Sequence, residues 1–297
     1  MNKIVFGLLV ILTTALMGSS FAVGKIGLAY SSPLLLTGLR FTFAGIIMAV
    51  IVRLFKKRHP EKRESWVQIV IIGFFQTSAV MGCIFLSLKT ITSGESAILT
   101  FTNPLLVVLF GTVFLHIKYR AIQWAGVMFG LIGVFITMGA NLELEIGTIL
   151  GFLSAVAWAI ATLLIKAWGQ QFDTWVLTAY QMMFGGVFLL FGSFFLETPF
   201  FIVNSTSVLI LIWLVILASI VQFAVWFYLL QKGDPGKTSA FLFLAPFFGV
   251  VSGWLVLDEQ LKAYVAIGGI CIFIGIFLVN WKSRKSESNG EQTVKAG

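Results

Sequence analysis

Residues 94–104, Gly-Glu-Ser-Ala-Ile-Leu-Thr-Phe-Thr-Asn-Pro, and residues 236–246, Gly-Lys-Thr-Ser-Ala-Phe-Leu-Phe-Leu-Ala-Pro, follow one pattern at an offset of 142 positions. Both stretches begin with glycine, hold phenylalanine at the eighth position and end with proline. Further identities at offsets of 141 or 142 join Lys25 with Lys166, Thr37 with Thr178, Phe43 with Phe184, Gly45 with Gly186, Gly126 with Gly268, and Gly133 with Gly275. A register kept over so much of the chain indicates an internal duplication.

The composition of this duplicated chain excludes a water-soluble fold. Of its 297 residues, 59% are hydrophobic and 11% are charged, and the mean hydropathy is +1.00. Soluble domains carry roughly 25% charged residues, which they need to coat their surface. A soluble enzyme and a nucleic-acid-binding protein are therefore excluded, despite the net charge of +8. We expect the chain to cross a lipid bilayer several times.

The apolar segments predict an all-α membrane protein with ten transmembrane helices, arranged as two inverted five-helix repeats. Because five is an odd number, the second repeat enters the membrane from the opposite face. We place the first repeat at residues 3–140 and the second at 144–281, and we expect residues 282–297 to form a disordered cytoplasmic tail. The predicted spans are about 4–24, 33–54, 66–88, 95–115, 121–139, 147–167, 175–196, 208–230, 237–257 and 262–281.

The basic residues predict the orientation of the chain. With the N-terminus in the cytoplasm, 16 of the 20 lysines and arginines lie on the inner side, whereas Lys25, Lys89 and Lys262 lie outside. Only Arg40 then lies within a span. Cytoplasmic loops are enriched in lysine and arginine, so we expect a multi-pass protein of the cytoplasmic membrane with both termini in the cytoplasm.

Polar and tryptophan side chains within the spans are candidates for substrate binding, because polar groups in a membrane need a reason to be there. A few polar groups among aromatic residues suit a small, amphipathic or uncharged substrate. Each could instead make an interhelical hydrogen bond or pack as a core aromatic. Arg40 could contact an anionic substrate or could bind carbonyl oxygens at the C-terminus of a neighbouring helix. The candidates are Arg40, Gln76, Thr100, Asn103, Trp158, Gln181, Gln222 and Trp226.

Three further residues are candidates for gating or coupling. Glu95 opens the fourth span, where its carboxylate could cap free N–H groups or carry a proton. Pro104 and Pro246 occupy equivalent positions and each removes a backbone hydrogen bond within a span. They mark either flexible points beside a wet cavity or fixed packing kinks. No acidic residue lies near the centre of a span, so the coupling ion stays open between a proton and none.

The sequence lacks the motifs of the other membrane-protein classes. It has no His-Glu-x-x-His motif, no acid pair within a span and no nucleotide-binding loop, so we expect no enzyme activity, metal or cofactor. We expect the partners to be a small-molecule substrate and the lipid bilayer. The glycine spacing in the fifth and tenth spans suits close helix packing or a dimer face, which leaves a monomer or a homodimer open.

The chain resembles the EamA family of the drug/metabolite transporter superfamily. The resemblance is carried by the two five-helix repeats, by the Gly…Pro pattern that opens the fourth and ninth spans, and by Leu36-x-x-x-Arg40-Phe41. One departure is Met17-Gly18, where the family usually has Trp-Gly, although Trp158 stands at the equivalent position of the second repeat. The resemblance implies a secondary transporter, in the exporting direction, of small metabolites or amino acids by alternating access. An importer or facilitator, or a membrane sensor or scaffold without transport, is the alternative.

Overall fold

The computed structural model describes residues 3–116, 119–137, 145–232, 241–260 and 262–279. This part of the chain is helical and has no β-strand, and its one isolated β-bridge joins Ser31 to Phe201. The junction between the predicted repeats at 138–144, the start of the second quoted stretch at 236–240 and the predicted tail at 282–297 lie outside the described residues.

The helices agree with the predicted spans to within a few residues, except in the fourth and ninth spans. By length and hydropathy, seven helical stretches of the described residues could cross a membrane, and three apolar helices are shorter. Short 3-10 turns at Gly169–Gln171 and Phe241–Phe243 precede α8 and α10. In chain order the helices are α1 Lys3–Gly27, α2 Pro33–Leu54, α3 Arg63–Ser87, α4 Ser93–Thr100, α5 Asn103–Leu115, α6 Ala121–Thr137, α7 Ile146–Trp168, α8 Thr174–Leu196, α9 (Ser205–Val215, Ile216–Val221 and Gln222–Lys232), α10 Leu244–Leu257 and α11 Ala263–Val279.

The fourth predicted span is not one helix kinked at Pro104. It is broken after Thr100, and Pro104 lies in the first turn of α5, where a backbone N–H would have no intrahelical acceptor. The break is bridged locally, because the N–H and the hydroxyl of Thr102 both donate to the carbonyl of Leu99, at 3.1 and 2.7 Å. Pro246 likewise lies in the first turn of α10, after a 3-10 turn. Pro104 therefore follows an interruption of regular helix, and Pro246 follows a 3-10 turn.

Two helices contain a π-helical turn that the hydrophobic pattern does not predict. The turn spans Phe74–Ala79 in α3 and Ile216–Val221 in α9. The two turns are offset by 142 residues, which is the offset of the duplication. A π turn inserts a residue into the helical ladder and leaves nearby backbone groups without their usual partners, and such turns are frequent at functional sites.

Close backbone contacts hold equivalent helices together in pairs. In the α2–α8 pair, Gly45 lies against the backbone of Met183 and Gly186 against that of Thr42. In the α6–α11 pair the backbones also meet at small residues, with Gly126 against Gly275 and Gly133 against Gly268. In both pairs a higher number on one helix meets a lower number on the other, so the paired helices run antiparallel. The glycines of α6 and α11 thus serve packing within the chain.

The outer surface of the bundle is apolar. Large side chains such as Phe194 and Phe195, each 75% exposed, project away from the helix contacts. An apolar exterior of this extent is typical of a protein that faces lipid. The chain is accordingly a multi-pass membrane protein.

The Gly45 contact can be tested by substitution. Gly45→Val would force a side chain into the backbone of Met183, and we expect a loss of about 1–3 kcal/mol in stability, since overpacking costs this much. Gly7→Val in α1 is the control, because a Cβ there meets nothing within 4 Å. Thermal unfolding in detergent measures both variants, and equal midpoints for the two would refute the close packing of α2 on α8.

Candidate functional site

A cavity of about 280 Å³ lies where α1, α2, α3, α4, α7, α8 and α9 converge. Seven of the eight substrate-binding candidates border it. These are Arg40, Gln76, Thr100, Trp158, Gln181, Gln222 and Trp226. The structure thus brings together side chains that are spread over more than 180 positions of the sequence, from Arg40 to Trp226.

Asn103 is the exception, and it lies with both prolines in a second cavity. Asn103, Pro104 and Pro246 border this space of about 350 Å³, which shares Trp158 and several other residues with the first. A continuous helix over the fourth span, 95–115, would place Asn103 on the same face as Thr100, at a spacing of seven residues from Ser96. That expectation is wrong because the break after Thr100 changes the course of the chain before Asn103.

The cavity also contains apolar residues that the sequence analysis did not name as candidates, among them Phe21, Phe85 and Phe101. Many of the lining residues occupy equivalent positions in the two repeats. Several lining residues that were not candidates could therefore have been predicted from the duplication. Taking each candidate and adding or subtracting 141 or 142 identifies its equivalent in the other half. In six equivalent pairs, both members border the cavity. These pairs are Met17/Trp158, Phe21/Thr162, Arg40/Gln181, Met81/Phe223, Ile84/Trp226 and Thr100/Leu242.

Arg40 joins α2 to the π turn of α9. Its Nε donates to Ser219 Oγ and its Nη2 donates to the carbonyl of Ala218, both at 2.9 Å. Ser219 Oγ donates in turn to the carbonyl of Leu214, five residues earlier, at 2.9 Å. The guanidinium is 3% exposed and lies 4.6 Å from the ring centroid of Phe41. One of the two alternatives for Arg40 was that it binds carbonyl oxygens at the C-terminus of a neighbouring helix. Arg40 does bind a carbonyl of a neighbouring helix, but this carbonyl lies within a π turn and not at the C-terminus.

Gln181 makes the equivalent connection from α8 to the π turn of α3. The hydroxyl of Thr77 donates to Gln181 Oε1 at 2.7 Å. Gln181 corresponds to Arg40, and Thr77 corresponds to Ser219, in the offsets of the duplication. Each half therefore reaches across the cavity wall to a hydroxyl in the π turn of the other half.

Glu95 does not cap the helix that it opens. The hydroxyl of Thr92 accepts the N–H of Glu95 at 3.1 Å, and the Glu95 carboxylate instead makes a hydrogen bond with Thr148 of α7. The carboxylate that binds the start of α4 is Glu259, from the loop after α10. It accepts the N–H of Ser93 at 2.9 Å and the hydroxyl of Ser93 at 2.7 Å.

Glu259 also forms an ion pair that ties three segments at one end of the bundle. The ammonium of Lys25, in the last turn of α1, lies 2.8 Å from Glu259 Oε1 and 2.8 Å from the carbonyl of Ile91. Burial acts to raise the pKa of Glu259, but the hydrogen bonds from Lys25 and Ser93 outweigh it. The pKa of Glu259 is thereby held below its ordinary value of 4.5.

The described residues contain no group of three histidine, cysteine, aspartate or glutamate side chains that could hold a metal ion. The chemistry of the cavity is accordingly that of hydrogen bonding, one buried cation and aromatic contact.

Comparison with known proteins finds transporters that match nearly the whole chain. The model of the EamA-like transporter family matches residues 5–139 and again residues 145–281. The uncharacterized transporter YvbV of Bacillus subtilis is 28% identical over 276 residues, covering 91% of this chain and 90% of that protein. An uncharacterized transporter of Archaeoglobus fulgidus is 29% identical over 291 residues, covering 94% and 98%.

A solved crystal structure shares the fold. It superposes with a TM-score of 0.65 and 21% sequence identity, and the match covers 96% of this chain and 100% of that one. The plant WAT1-related protein At3g02690 of Arabidopsis thaliana, described as chloroplastic, is a more distant relative. It is 23% identical over 277 residues, which cover 89% of this chain and 66% of that protein.

The Lys25–Glu259 contact predicts a pH-dependent stability. Because the pKa of Glu259 is lowered by folding, its contribution is complete above the ordinary value of 4.5 and is lost as the pH falls through the folded value. Glu259→Gln should reduce stability at pH 7 by about 1.5–3 kcal/mol, the range for charged hydrogen bonds. The difference from wild type should shrink towards pH 3.

Thermal unfolding across this pH range measures the effect. Asp258→Asn is the matched control, since Asp258 is exposed and asparagine tolerates its positive φ of 52°. A deficit of Glu259→Gln that is equal at pH 7 and pH 3 would show that the carboxylate charge plays no part.

Proposed function

This chain belongs to the EamA-like transporter family and is a membrane transporter, and we propose that it is a secondary transporter of small metabolites or amino acids that works by alternating access. We place it in the cytoplasmic membrane and expect export as the direction. The observation that carries the proposal is the cavity of about 280 Å³, which both halves of the chain line with equivalent residues.

The packing of the helices supports an inverted duplication with ten spans. The equivalent helices α2 and α8 meet antiparallel, and so do α6 and α11. An axis that relates two antiparallel helices lies perpendicular to them, and for membrane-spanning helices this direction is in the plane of the bilayer. The shorter helices α6, α10 and α11 are then the fifth, ninth and tenth spans.

Alternating access follows from such an arrangement. If one packing can be adopted by either half, the molecule has two conformations that open the same cavity to opposite sides. Arg40 and Gln181 are suited to keep the two halves connected in both conformations, because each side chain binds the π turn of the other half. Pro104 adjoins a helix interruption and Pro246 follows a 3-10 turn, both at the second cavity, where we expect the chain to bend.

The two ends of the bundle differ, which indicates the state that the structure represents. The end at which α1 finishes is tied by Lys25, Glu259 and Ser93. Lys166, the equivalent of Lys25, is exposed at the opposite end. The positive-inside rule assigns the tied end to the outside. We therefore propose a state closed outwards, with the cavity extending inwards past Ile165 and Thr174.

Glu95 is the candidate for ion coupling in this scheme. It lies near the outer end and links α4 to α7 through Thr148. Protonation of its carboxylate would weaken that link, so a proton could favour separation of the two helices. A monomer is sufficient for the proposed transport, because one chain builds the whole cavity, and a homodimer would join two such units.

A flux assay tests the function. We expect purified protein in proteoliposomes to give saturable uptake of at least one solute from a panel of amino acids, organic acids, nucleosides and amines, with and without a pH gradient. Trp158→Ala and Gln222→Ala should each lower the flux about tenfold, which corresponds to the loss of roughly 1.4 kcal/mol. Phe195→Leu on the lipid-facing surface is the control.

A variant in which Asn103, Trp158 and Gln222 are all replaced by alanine provides the stricter test. If its flux equals that of the wild type, the cavity is rejected as the pathway. A wild-type protein that moves no solute in the panel would argue against transport itself.

The orientation is tested by cysteine labelling. In a background that lacks Cys83 and Cys271, we expect Asp258→Cys to react with a membrane-impermeant maleimide in intact cells and Lys57→Cys to react only after lysis. Both side chains are accessible in the structure. The reverse pattern would invert the topology.

A further inference from the structure

Arg40 is a buried cation that faces the cavity without an acidic partner. The acidic residues of the described chain lie elsewhere, and none borders the cavity. Among the described residues, the ion pairs join Lys25 with Glu259 and Lys57 with Asp173. None of these four residues lines the cavity with Arg40. A cation inside a membrane pairs with an anion, with backbone carbonyls or with a ligand, and the bonds of Arg40 to Ser219 and Ala218 engage its Nε and Nη2.

Among the polar groups that line the cavity with Arg40, the N–H groups of amides and indoles are the donors left for a solute. The hydroxyls of Ser20, Thr162 and Thr178 donate to carbonyls of their own helices, at 2.7–2.8 Å, so their hydrogens are engaged. The amides of Gln76 and Gln222 and the indoles of the two tryptophans border the same space. N–H donors beside a guanidinium favour a negatively charged oxygen group.

The remaining wall suits an apolar body of limited size. Phe101 and Trp158 meet edge to face with ring centroids 5.4 Å apart, and Phe21 lies 6.3 Å from Phe101. Phe85, Phe223 and Trp226 also border the cavity. A volume of about 280 Å³ lies near the lower end of the range for small-molecule sites, so it admits one small solute.

We propose that the transported solute is a small organic monocarboxylate, whose carboxylate binds Arg40 and whose aromatic or aliphatic body lies among the aromatic side chains. The inference rests on the transport function proposed above and names its substrate class. An ammonium group would find amide and hydroxyl oxygens but no carboxylate among the described lining residues. Cationic solutes should therefore be poor substrates.

Three probes with one apolar body and different head groups test the inference. They are 3-phenylpropionate, 3-phenylpropanamide and phenethylamine, with negative, neutral and positive heads at pH 7. Binding to purified protein is measured by calorimetry and by the fluorescence of the cavity tryptophans, and flux is measured in proteoliposomes. We expect the carboxylate to bind at least about tenfold more tightly than either of the others, as charge-assisted hydrogen bonds predict.

Two substitutions separate an anion-binding role of Arg40 from a structural one. Arg40→Gln should abolish the preference for the carboxylate, whereas Arg40→Lys should keep part of it. Ser219→Ala removes the hydrogen bond to the π turn but leaves the guanidinium, so the preference should persist. If Ser219→Ala loses the preference as fully as Arg40→Gln does, Arg40 acts structurally and the inference is wrong. Should Arg40→Gln fail to fold, the comparison of wild type, Arg40→Lys and Ser219→Ala decides.

The outcomes also separate this inference from the transport proposal. Equal or tighter binding of the amide or the amine, or no binding of the carboxylate, overturns the head-group assignment even where other solutes are transported. Tight carboxylate binding without flux of any probe supports the assignment and contradicts transport.

Discussion

Within a bilayer no solvent is available to pair with a polar group, and each such group must find its partner inside the protein. This constraint explains where the irregular parts of the fold lie. The π turn of α9 presents the carbonyl of Ala218 and the hydroxyl of Ser219, and Arg40 binds both. A carbonyl in the π turn of α9 is thus paired by a side chain from the other half of the protein.

The duplication produces a symmetric scaffold with an asymmetric lining. Equivalent positions hold Arg40 and Gln181, or Met17 and Trp158, so the same geometry carries a cation on one side and a neutral amide on the other. A solute in the proposed site would therefore meet different chemistry from each half. The ends differ as well, since Lys25 forms an ion pair and its equivalent Lys166 is exposed.

Much of the fold could be predicted from the sequence because a membrane helix needs only length and apolarity. The span predicted at 33–54 is the helix Pro33–Leu54. Seven of the eight substrate-binding candidates border the cavity, and most of them could be named because polar residues in spans are rare. The breaks could not be predicted in this way, because the length and apolarity of a span carry no information about the hydrogen-bond register within it. The role of Glu259 was also inaccessible, since its contact with Ser93 spans 166 positions and a local capping rule selects Glu95 instead.

The central claim is that one cavity opens alternately at the two ends of an inverted pair of repeats. Spin labels at the exposed positions Lys89 and Gln260 report on the outer end, and labels at Lys166 and Tyr228 report on the inner end. Distances are measured by double electron–electron resonance with and without a transported solute. We predict two populations in which the outer distance lengthens as the inner distance shortens. Distances that stay fixed, or that lengthen together at both ends during transport, would contradict the account.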